Sequence, residues 1–472
     1  MNETEIRFPL ELSDFEYYSY RDDSIDYPMV ISFRTYLEGN VDVAAFENSL
    51  QAALHHHPLL RCVIQQTGRE FKWLPISNPQ PVLHCTSHDG ADVPDDCPLV
   101  RIDLTHEPGA RFELRSGPER SVLIAWFHHA CVDGLGAIRF LADVFSEYGK
   151  RTATVRSDCP FRAIPDSSLL HQRGRCPKQV ESFGKEKDWK EWLKGPSRFL
   201  LSRSYCISGN NSTKNRLDDS QNILHTAVLP RATLLRLKSL SVAKQVTTND
   251  VCMVAFLQQI HEWTRFTMDA TANDLFRILM PVSMRTPDLE AISAANVLSY
   301  VFHSFRRNEC LSPESLLKVI HIRTADMIHG NEGAVLLKLL SMVRRVPGLF
   351  QMSRWLQPAF ATAVLTNVGD LKRIFGHGFP LKKGRVVAGN IVIQRIDGTG
   401  PLRKNTNVAL CTGVYGGELV LNLRFNPETF SSDDATLFQS QFVNRMTHMA
   451  DSDLLPMASR PVPKPSTVKE LV

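Results

Sequence analysis

The stretch Val122-Leu123-Ile124-Ala125-Trp126-Phe127-His128-His129-Ala130-Cys131-Val132-Asp133-Gly134 decides how this chain is interpreted. It opens with a continuous apolar run, residues 122–127, which is typical of a strand buried on both faces. Beyond it, apolar residues recur at steps of three and four, as they do along one face of a helix. They are Leu135, Ile138, Leu141, Phe145 and Tyr148. The pattern predicts a buried strand, a turn and a helix, with two histidines where the strand ends.

His129 is the strongest candidate for chemistry in this stretch. Histidine is the side chain whose ordinary pKa lets it take and return a proton near neutral pH. Because successive strand residues point to opposite faces, only one histidine of the pair can enter a given cleft. We expect His129 to act as a general base on a hydroxyl or amine that attacks an ester or thioester carbonyl, and His128 to pack or hydrogen-bond. The alternative is that both are satisfied core histidines.

Three neighbours of His129 carry predictions of their own, and two of them have more than one interpretation. Asp133 could orient the imidazole, as in a catalytic triad, or it could pair with an arginine and cap the helix that follows. The second is favoured, because Asp133 stands where the turn enters the helix. Gly134 is expected where the backbone has no room for a side chain. Cys131 could be a nucleophile beside His129, but a small buried residue is favoured.

Other patterns in the sequence exclude several classes of protein. No GxSxG, GxxxxGK[ST], HExxH or GxGxxG pattern occurs, which leaves elbow-type serine hydrolases, P-loop NTPases and zincins unsupported. The tract 55–57 is three histidines, which would spread around a helix rather than share a metal ion, and a cationic helix C-terminus is favoured. We expect no metal site. Residues 334–365 mix apolar and basic side chains and predict a core helix, with an interfacial segment or the lining of an acyl tunnel as alternatives.

The composition is that of an ordinary globular protein. At 472 residues the chain exceeds what one hydrophobic core usually serves, and 43% of it is hydrophobic and 22% charged. A formal net charge of +4 without a Lys/Arg stripe argues against nucleic-acid binding. Its ten cysteines are scattered and indicate reduced thiols. With no signal-peptide pattern and no apolar run that could span a bilayer, a soluble, cytoplasmic protein is expected.

Strand and helix patterns alternate in both halves of the chain, which predicts an α/β fold. Between residues 150 and 222 the composition shifts to Arg, Lys, Pro, Ser and Asn. We therefore predict an N-terminal subdomain over 1–205, a linker over 206–222, a C-terminal subdomain over 223–455 and a flexible tail over 456–472. Strands are expected at 99–104 and at 386–394, among other places.

Residues 128–134 resemble the HHxxxDG signature of an acyltransferase superfamily. It includes chloramphenicol acetyltransferase (CAT), the condensation domains of nonribosomal peptide synthetases, plant BAHD enzymes and alcohol or polyketide-associated acyltransferases. Further segments are similar to patterns of that superfamily in order and spacing, from about residue 8 to about residue 450. They are Leu37-Glu38-Gly39-Asn40-Val41-Asp42, His57-Pro58-Leu59-Leu60-Arg61, Pro281-Val282-Ser283-Met284-Arg285 followed by Asn296, and Thr366-Asn367-Val368-Gly369.

The resemblance implies two CAT-like subdomains arranged as a pseudo-dimer, with a central channel and HHxxxDG at its midpoint. It implies that His129 is the catalytic base. The resemblance also implies a structural role at the site for His128, Asp133, Gly134 and Arg285, with Arg285 as the salt-bridge partner of the aspartate. The candidates for lining the substrate channel are Asn296, Thr366 and Asn367. An alanine at position 295 and the absence of a DFGWG motif argue against a plant BAHD enzyme.

Together these observations predict a freestanding acyltransferase. The donor would be an acyl thioester, either acyl-CoA or the phosphopantetheine of an acyl-carrier protein, used as a co-substrate rather than a permanently bound cofactor. The acceptor would be a small molecule with a hydroxyl or amine, and a monomer would suffice. Because no carrier domain is fused to this chain, coenzyme A is favoured. The alternatives are a non-catalytic condensation-like module that binds a carrier protein or thioester, and a hydrolase that uses water as acceptor.

Overall fold

The computed structural model describes residues 6–77, 82–89, 92–154, 160–174, 202–209, 223–266, 271, 273–329, 332–346, 348–350, 352, 360–376 and 378–451. The predicted tail over 456–472 and residues 210–222 of the predicted linker lie outside these ranges. Within them, helices and strands mix along the whole chain, as the predicted α/β class requires.

The helices of the described ranges are numbered in chain order. They are α1 (Asp14–Asp22), α2 (Val43–His55), α3 (Gly134–Thr152), α4 (Arg231–Lys244), α5 (Thr248–Trp263), α6 (Pro313–His329), α7 (Glu332–Arg345), α8 (Leu371–Phe375) and α9 (Ser432–Asp451). None of the helices in the described ranges is long and apolar enough to cross a membrane.

The strands are numbered in the same way. They are β1 (Leu10–Glu11), β2 (Val30–Glu38), β3 (Cys62–Thr67), β4 (Glu70–Pro75), β5 (Val82–Ser87), β6 (Ala110–Ser116), β7 (Arg120–His128), β8 (His225–Leu229), β9 (Leu275–Ser283), β10 (Leu298–Arg306), β11 (Ala363–Asp370), β12 (Leu381–Lys382), β13 (Arg385–Ala388), β14 (Ile391–Thr399), β15 (Val408–Tyr415) and β16 (Glu418–Phe425).

A seven-stranded sheet forms the core of the first half, in the order β12-β13-β14-β2-β7-β6-β5. Its interior strand β7 is antiparallel to the central strand β2, with His128 opposite Val30. One face of β7 packs on α3, where the rings of Phe127 and Phe140 lie 5.8 Å apart. The other face is covered by residues 92–104. Burial on both faces explains why this strand reads as an unbroken apolar run.

Within the covering segment 92–104, the prediction of a strand at 99–104 is wrong. Residues 99–104 form no strand. Backbone groups at its end are paired singly rather than in a ladder: the Leu104 carbonyl accepts from the Ile64 N–H at 2.7 Å, and the Asp103 N–H donates to the Glu107 carboxylate at 3.0 Å. Groups that are paired in this way need no continuous strand neighbour.

A six-stranded sheet, in the order β10-β9-β11-β15-β16-β8, forms the core of the second half. Its strand β11 runs parallel to both β9 and β15. Helix α5 packs against α9 through Phe256 and Phe442, whose rings lie 5.9 Å apart. Residues on all sides of α5 are buried, so its sequence is apolar nearly all round rather than striped.

Strands β12–β14 lie in the predicted C-terminal subdomain but join the sheet of the first half. Strand β14 pairs antiparallel with β2, and the buried Asp397 accepts a hydrogen bond from Arg34 at 2.9 Å. The strand predicted at 386–394 is in fact a hairpin, because the chain turns at Gly389, which has φ +58°. Sheet membership therefore does not follow chain order in this segment.

Residues 202–209 pack on the second half, although the predicted boundary at 205/206 divides them. The Tyr205 N–H donates to the carbonyl of Leu275 at 2.8 Å. Ile207 is fully buried in the second core, and its carbonyl accepts a hydrogen bond from the Asn407 amide at 2.8 Å. Ile207, Tyr205 and a few polar contacts hold this segment, and its Ser-rich composition conceals them.

A third apolar cluster lies between the two halves. It joins Phe15 and Tyr18 of α1 to Leu337 of α7 and to Tyr300 of β10. Helix α7 packs into this cluster through Leu337, with Ala334 also buried, and the Ser299 hydroxyl donates to its Gly333 carbonyl at 2.6 Å. Its other side chains are half-buried or exposed, so the core helix predicted within 334–365 is buried on one side only. Residues 353–359 of that predicted region lie outside the described ranges.

Candidate active site

His129 directly follows β7, at the junction of the two halves. Its backbone N–H donates to the carbonyl of Met29 at 2.6 Å, which extends the β2–β7 pairing by one residue. Its own carbonyl accepts a hydrogen bond from the side-chain amide of Asn296, which belongs to the second half. The residue is 6% exposed. Hydrogen bonds to its backbone from both halves therefore fix its position.

The turn after β7 sets the tautomer of the His129 ring. Nδ1 lies 3.2 Å from the carbonyl oxygen of Val132, and because a carbonyl only accepts, Nδ1 carries the proton. Nε2 is left with its lone pair, the form that a general base needs. Burial lowers the pKa of His129, and the Asp133 charge and the Val132 hydrogen bond offset this only in part. The ring is therefore neutral at neutral pH.

His128 has the surroundings of a neutral core histidine. It is 1% exposed, and its Nδ1 accepts a hydrogen bond from the Ala130 N–H at 3.1 Å. Its Nε2 lies 3.7 Å from a carboxylate oxygen of Asp23, beyond hydrogen-bond distance. Burial, with a smaller contribution from His129, lowers the pKa of His128 to about 3. This ring is therefore held by packing and by one backbone contact.

Asp133 is a buried carboxylate with a full set of donors. Arg285 donates to it twice, at 2.7 Å and 3.0 Å, and the backbone N–H groups of Gly136 and Val297 each donate at 2.8 Å. Burial acts to raise the pKa of Asp133, but Arg285 and the two amides outweigh it and lower the pKa. The carboxylate caps α3 and ties it to the second half.

The glycine that has no room for a side chain is Gly136, not Gly134, so that prediction is wrong. A Cβ at Gly134 would meet no atom within 4 Å, whereas one at Gly136 would lie 2.7 Å from the Val132 side chain and 3.0 Å from the Ala295 carbonyl. Gly136 is where α3 packs closely against the second half. Gly134 instead borders open space next to the His129 turn.

The three predicted channel residues lie at different places. Asn296 is 2% exposed and touches the His129 backbone, and within the described residues its Oδ1 has no hydrogen-bond partner. Thr366 and Asn367 lie on β11, beside β15. Asn367 is exposed, and its side chain accepts from the Gly369 N–H at 2.8 Å. In the described chain, neither β11 side chain hydrogen-bonds to the His129 ring.

Cys131 lacks the properties of a nucleophile. It is fully buried, and burial raises the pKa of its thiol well above the ordinary value. Its side chain packs on Gly109, where an added Cβ would clash with the sulfur. A thiolate is the reactive form of cysteine, so this environment keeps Cys131 inert.

His57 is a functional candidate that the sequence reasoning passed over. Of the histidine tract, His55 is exposed and His56 half-buried, but His57 is 1% exposed. Its Nε2 lies 3.0 Å from a carboxylate oxygen of Asp143 on α3, and its Nδ1 accepts from the Ala294 N–H at 2.8 Å. The available signal was the proline after it, which ends α2 and turns the last histidine inward.

Helix α1 supplies the aromatic wall beside His129, and the sequence reasoning missed this helix. The rings of Phe15 and His129 lie 6.0 Å apart, and Phe15 in turn lies 5.0 Å from Tyr300. The missed signal was the pair Ser13 and Glu16, which form a capping box at the start of the helix.

No family model matches the sequence of the chain, and no curated protein matches it either. Solved structures do match its fold. The trichothecene 15-O-acetyltransferase TRI3 from Fusarium sporotrichioides has a TM-score of 0.67 and 11% identity, over 93% of this chain and 94% of that chain. The first condensation domain of the calcium-dependent antibiotic synthetase has a TM-score of 0.63 and 14% identity, over 95% and 98%.

A third similar structure is the epimerization domain of tyrocidine synthetase B, with a TM-score of 0.62 and 12% identity, over 95% of this chain and 98% of that chain. The chain thus has the α/β fold of condensation domains, built from two CAT-like subdomains. At this identity the likeness defines the fold. These three structures are an acetyltransferase, a condensation domain and an epimerization domain, so the reaction has to be argued from the site.

Proposed function

We propose that this protein is an acyltransferase that moves an acyl group from a thioester to a hydroxyl or amine, with Nε2 of His129 as general base. The observation that carries the proposal is the contact between Nδ1 and the Val132 carbonyl at 3.2 Å, because it leaves Nε2 unprotonated. The depressed pKa of His129 acts in the same direction, since it keeps the ring neutral. The fold shared with an acetyltransferase and a condensation domain supports this choice of chemistry.

The proposed reaction needs no covalent intermediate on the protein. Nε2 of His129 removes the proton of the acceptor while its oxygen or nitrogen forms a bond to the thioester carbonyl carbon. When the carbon–sulfur bond breaks, the protonated imidazole returns the proton to the leaving thiolate. The Nδ1–H bond to Val132 persists throughout and stabilises the imidazolium that forms between the two transfers.

The substrates would meet between the two halves, in the proposed central channel. A Cβ at Gly134 would meet no atom within 4 Å, and we assign this open space beside the His129 turn to the reacting groups. We assign Thr366 and Asn367 to the channel wall and Asn296 to its floor, where its free Oδ1 can accept a hydrogen bond. Holding both reactants at one base raises their effective concentration, which supplies part of the rate.

The proposed donor is acyl-CoA or the phosphopantetheine thioester of an acyl-carrier protein, with no permanently bound cofactor. The similar condensation and epimerization domains are parts of an antibiotic synthetase and of tyrocidine synthetase B. A carrier-protein donor therefore belongs in the test beside acyl-CoA. Because both halves of the site come from one chain, a monomer is sufficient.

The test is turnover of defined thioesters by the purified protein. Acyl-CoAs of increasing chain length, and the same acyl groups on a carrier protein, are each mixed with pools of alcohols and amines, and products are followed by mass spectrometry. We expect acylated acceptor and free thiol in equal amounts with the wild type, and both formed roughly 10²–10⁴-fold more slowly with His129→Ala. Thiol release without acylated acceptor would instead identify a hydrolase.

One observation favours a second candidate, a non-catalytic module that binds a carrier protein or thioester. His129 is only 6% exposed, so little of its surface is open to a substrate. Tight binding of an acyl-CoA or acyl-carrier protein, with no product formed from any donor, would establish this candidate and overturn the acyltransferase.

A further inference from the structure

The segment 294–297 holds both key residues of the HHxxxDG turn. The side-chain amide of Asn296 donates to the carbonyl of His129, and the backbone N–H of Val297 donates to Asp133 at 2.8 Å. The carbonyl of Ala295 accepts from the Asp133 N–H at 3.4 Å. Any displacement of this short segment would therefore move the proposed base and its supporting carboxylate together.

The segment is itself held at its first residue by His57. The Ala294 N–H donates to Nδ1 of His57 at 2.8 Å. Because Nδ1 accepts, the proton of the ring is on Nε2, which donates to Asp143 at 3.0 Å. The ring is 1% exposed and packs edge-on against Phe140, with ring centroids 5.1 Å apart. Its position and tautomer are thereby fixed.

Asp143 is anchored in turn. Arg162 donates to its second carboxylate oxygen at 2.5 Å and to the carbonyl of Phe375 at 2.6 Å. The contacts thus run without a break from Arg162 through Asp143 and His57 to the segment 294–297, and from there to His129. None of the first three residues lies in the HHxxxDG stretch.

We propose that His57 is a positioning residue for the general base, and that it acts on His129 through the backbone N–H of Ala294. Its effect on catalysis rests on the proposed acyltransferase function, but its effect on the His129 ring does not. A histidine suits this place because one ring nitrogen must accept and the other must donate, within a site that excludes water. Leaving the buried Ala294 amide unpaired would release the segment.

Two substitutions separate the two contacts of His57. His57→Asn keeps an acceptor near the position of Nδ1, so the Ala294 N–H stays paired, but it no longer reaches Asp143. His57→Gln keeps a donor near the position of Nε2, so Asp143 stays paired, but Ala294 loses its acceptor. Both remove the imidazole and both lower stability, so the two variants differ in which of the two contacts each one keeps.

We expect His57→Gln to lower kcat by roughly 10–100-fold with KM unchanged, because a displaced base slows the chemical step while the residue touches no substrate. We expect His57→Asn to stay within about threefold of wild-type kcat, since the segment stays in place. His55→Gln, in the exposed first position of the same tract, is the control and leaves both constants unchanged. Rates are compared per folded molecule, with folding checked by circular dichroism.

A readout independent of activity keeps this proposal separate from the proposed function. In 15N-labelled protein, the ring nitrogens of His129 report its tautomer. We expect the Nδ1–H signal to be retained in His57→Asn and lost or exchange-broadened in His57→Gln. If the wild type transfers no acyl group but this difference is present, the function fails and the positioning role stands.

Equal His129 spectra in the wild type and in folded His57→Gln would overturn the positioning role, as would equal losses of kcat in the two variants. If His57→Gln does not fold, His57→Asn decides alone: an altered His129 ring in that variant contradicts the route through Ala294. Asp143→Asn serves as the second check, because it weakens the Arg162 pair but keeps Ala294 paired, and its His129 spectrum is expected to match the wild type.

Discussion

The carboxylate of Asp133 lies 2.7 Å from the guanidinium of Arg285, although the two residues are 152 positions apart in the chain. Both are buried, and the pair joins the start of α3 to the second half of the molecule. In the described chain, no hydrogen bond joins Asp133 to the His129 ring, whose Nδ1 donates to Val132 instead. Asp133 therefore acts as a tie between halves rather than as the third member of a triad.

Removing the Asp133 carboxylate should be costly, because it leaves the Arg285 charge buried without its partner. We expect Asp133→Ala to lower the free energy of unfolding by about 3–5 kcal/mol, measured by urea denaturation. Asp42→Ala is the matched control: Asp42 caps α2 from an exposed position, so its loss should cost only about 1 kcal/mol. Equal losses in the two variants would mean that Asp133 contributes no more than a cap.

The two glycines of the turn should respond in opposite ways to a methyl group. Gly136→Ala should lower the free energy of unfolding by about 1–3 kcal/mol, because the Cβ would press on Val132 and on the Ala295 carbonyl. Gly134→Ala should leave it unchanged or raise it by at most about 1 kcal/mol, since that position is open. Thermal denaturation of both variants checks this, and a destabilised Gly134→Ala would contradict the open space.

Stability should fall with acid through the titration of His128. Its pKa is about 3 in the folded protein against 6.5 for the free side chain, so between these values the unfolded chain binds a proton that the folded protein does not. As the pH drops, protonation therefore stabilises the unfolded state relative to the folded state. Through this ring, the free energy of unfolding falls by about 1.4 kcal/mol per pH unit in that window. His128→Asn keeps an acceptor for the Ala130 N–H but cannot titrate.

Urea denaturation at about pH 7 and about pH 5 measures this dependence. Between about pH 7 and about pH 5, we expect the free energy of unfolding to fall less in His128→Asn than in the wild type. The difference should be roughly the effect of one titrating proton. The buried His129 keeps a dependence of the same sign in both proteins, because its pKa is also lowered. Identical pH dependence of stability in the two proteins would show that the titration of His128 does not contribute to it.

Cys131 should be dispensable for chemistry. The thiol is buried and its pKa is raised, so we expect Cys131→Ala to keep kcat within about threefold of the wild type. The folded protein should also leave Cys131 unmodified by iodoacetamide, as peptide mass spectrometry would record. If a folded Cys131→Ala lost as much activity as His129→Ala, the result would support Cys131 as a nucleophile.

The fold could be predicted where local pattern and tertiary structure agree. The apolar run before His128 is a strand buried on both faces, and the stripe after Gly134 is a helix with Asp133 at its N-cap. Both predictions follow from periodicity and from capping chemistry, which are local. The partner of Asp133 came only from the resemblance, because no local rule joins residues 152 positions apart.

The parts of the fold and of the site that the sequence did not predict depend on contacts that sequence spacing does not encode. The strands between 381 and 399 cross to the other sheet, and nothing in their composition marks the exchange. The role of Gly136 depends on how closely Ala295 approaches it. His57 looks like its two neighbours in the sequence, and only its burial against Asp143 and Ala294 sets it apart.

The most direct test of the proposed chemistry is the turnover of His129→Ala with the thioester and acceptor that serve the wild type best. Loss of the base should lower kcat by roughly 10²–10⁴-fold, while circular dichroism and the unfolding temperature stay close to those of the wild type. A folded His129→Ala that transfers acyl groups at the wild-type rate would contradict the assignment of His129 as the base.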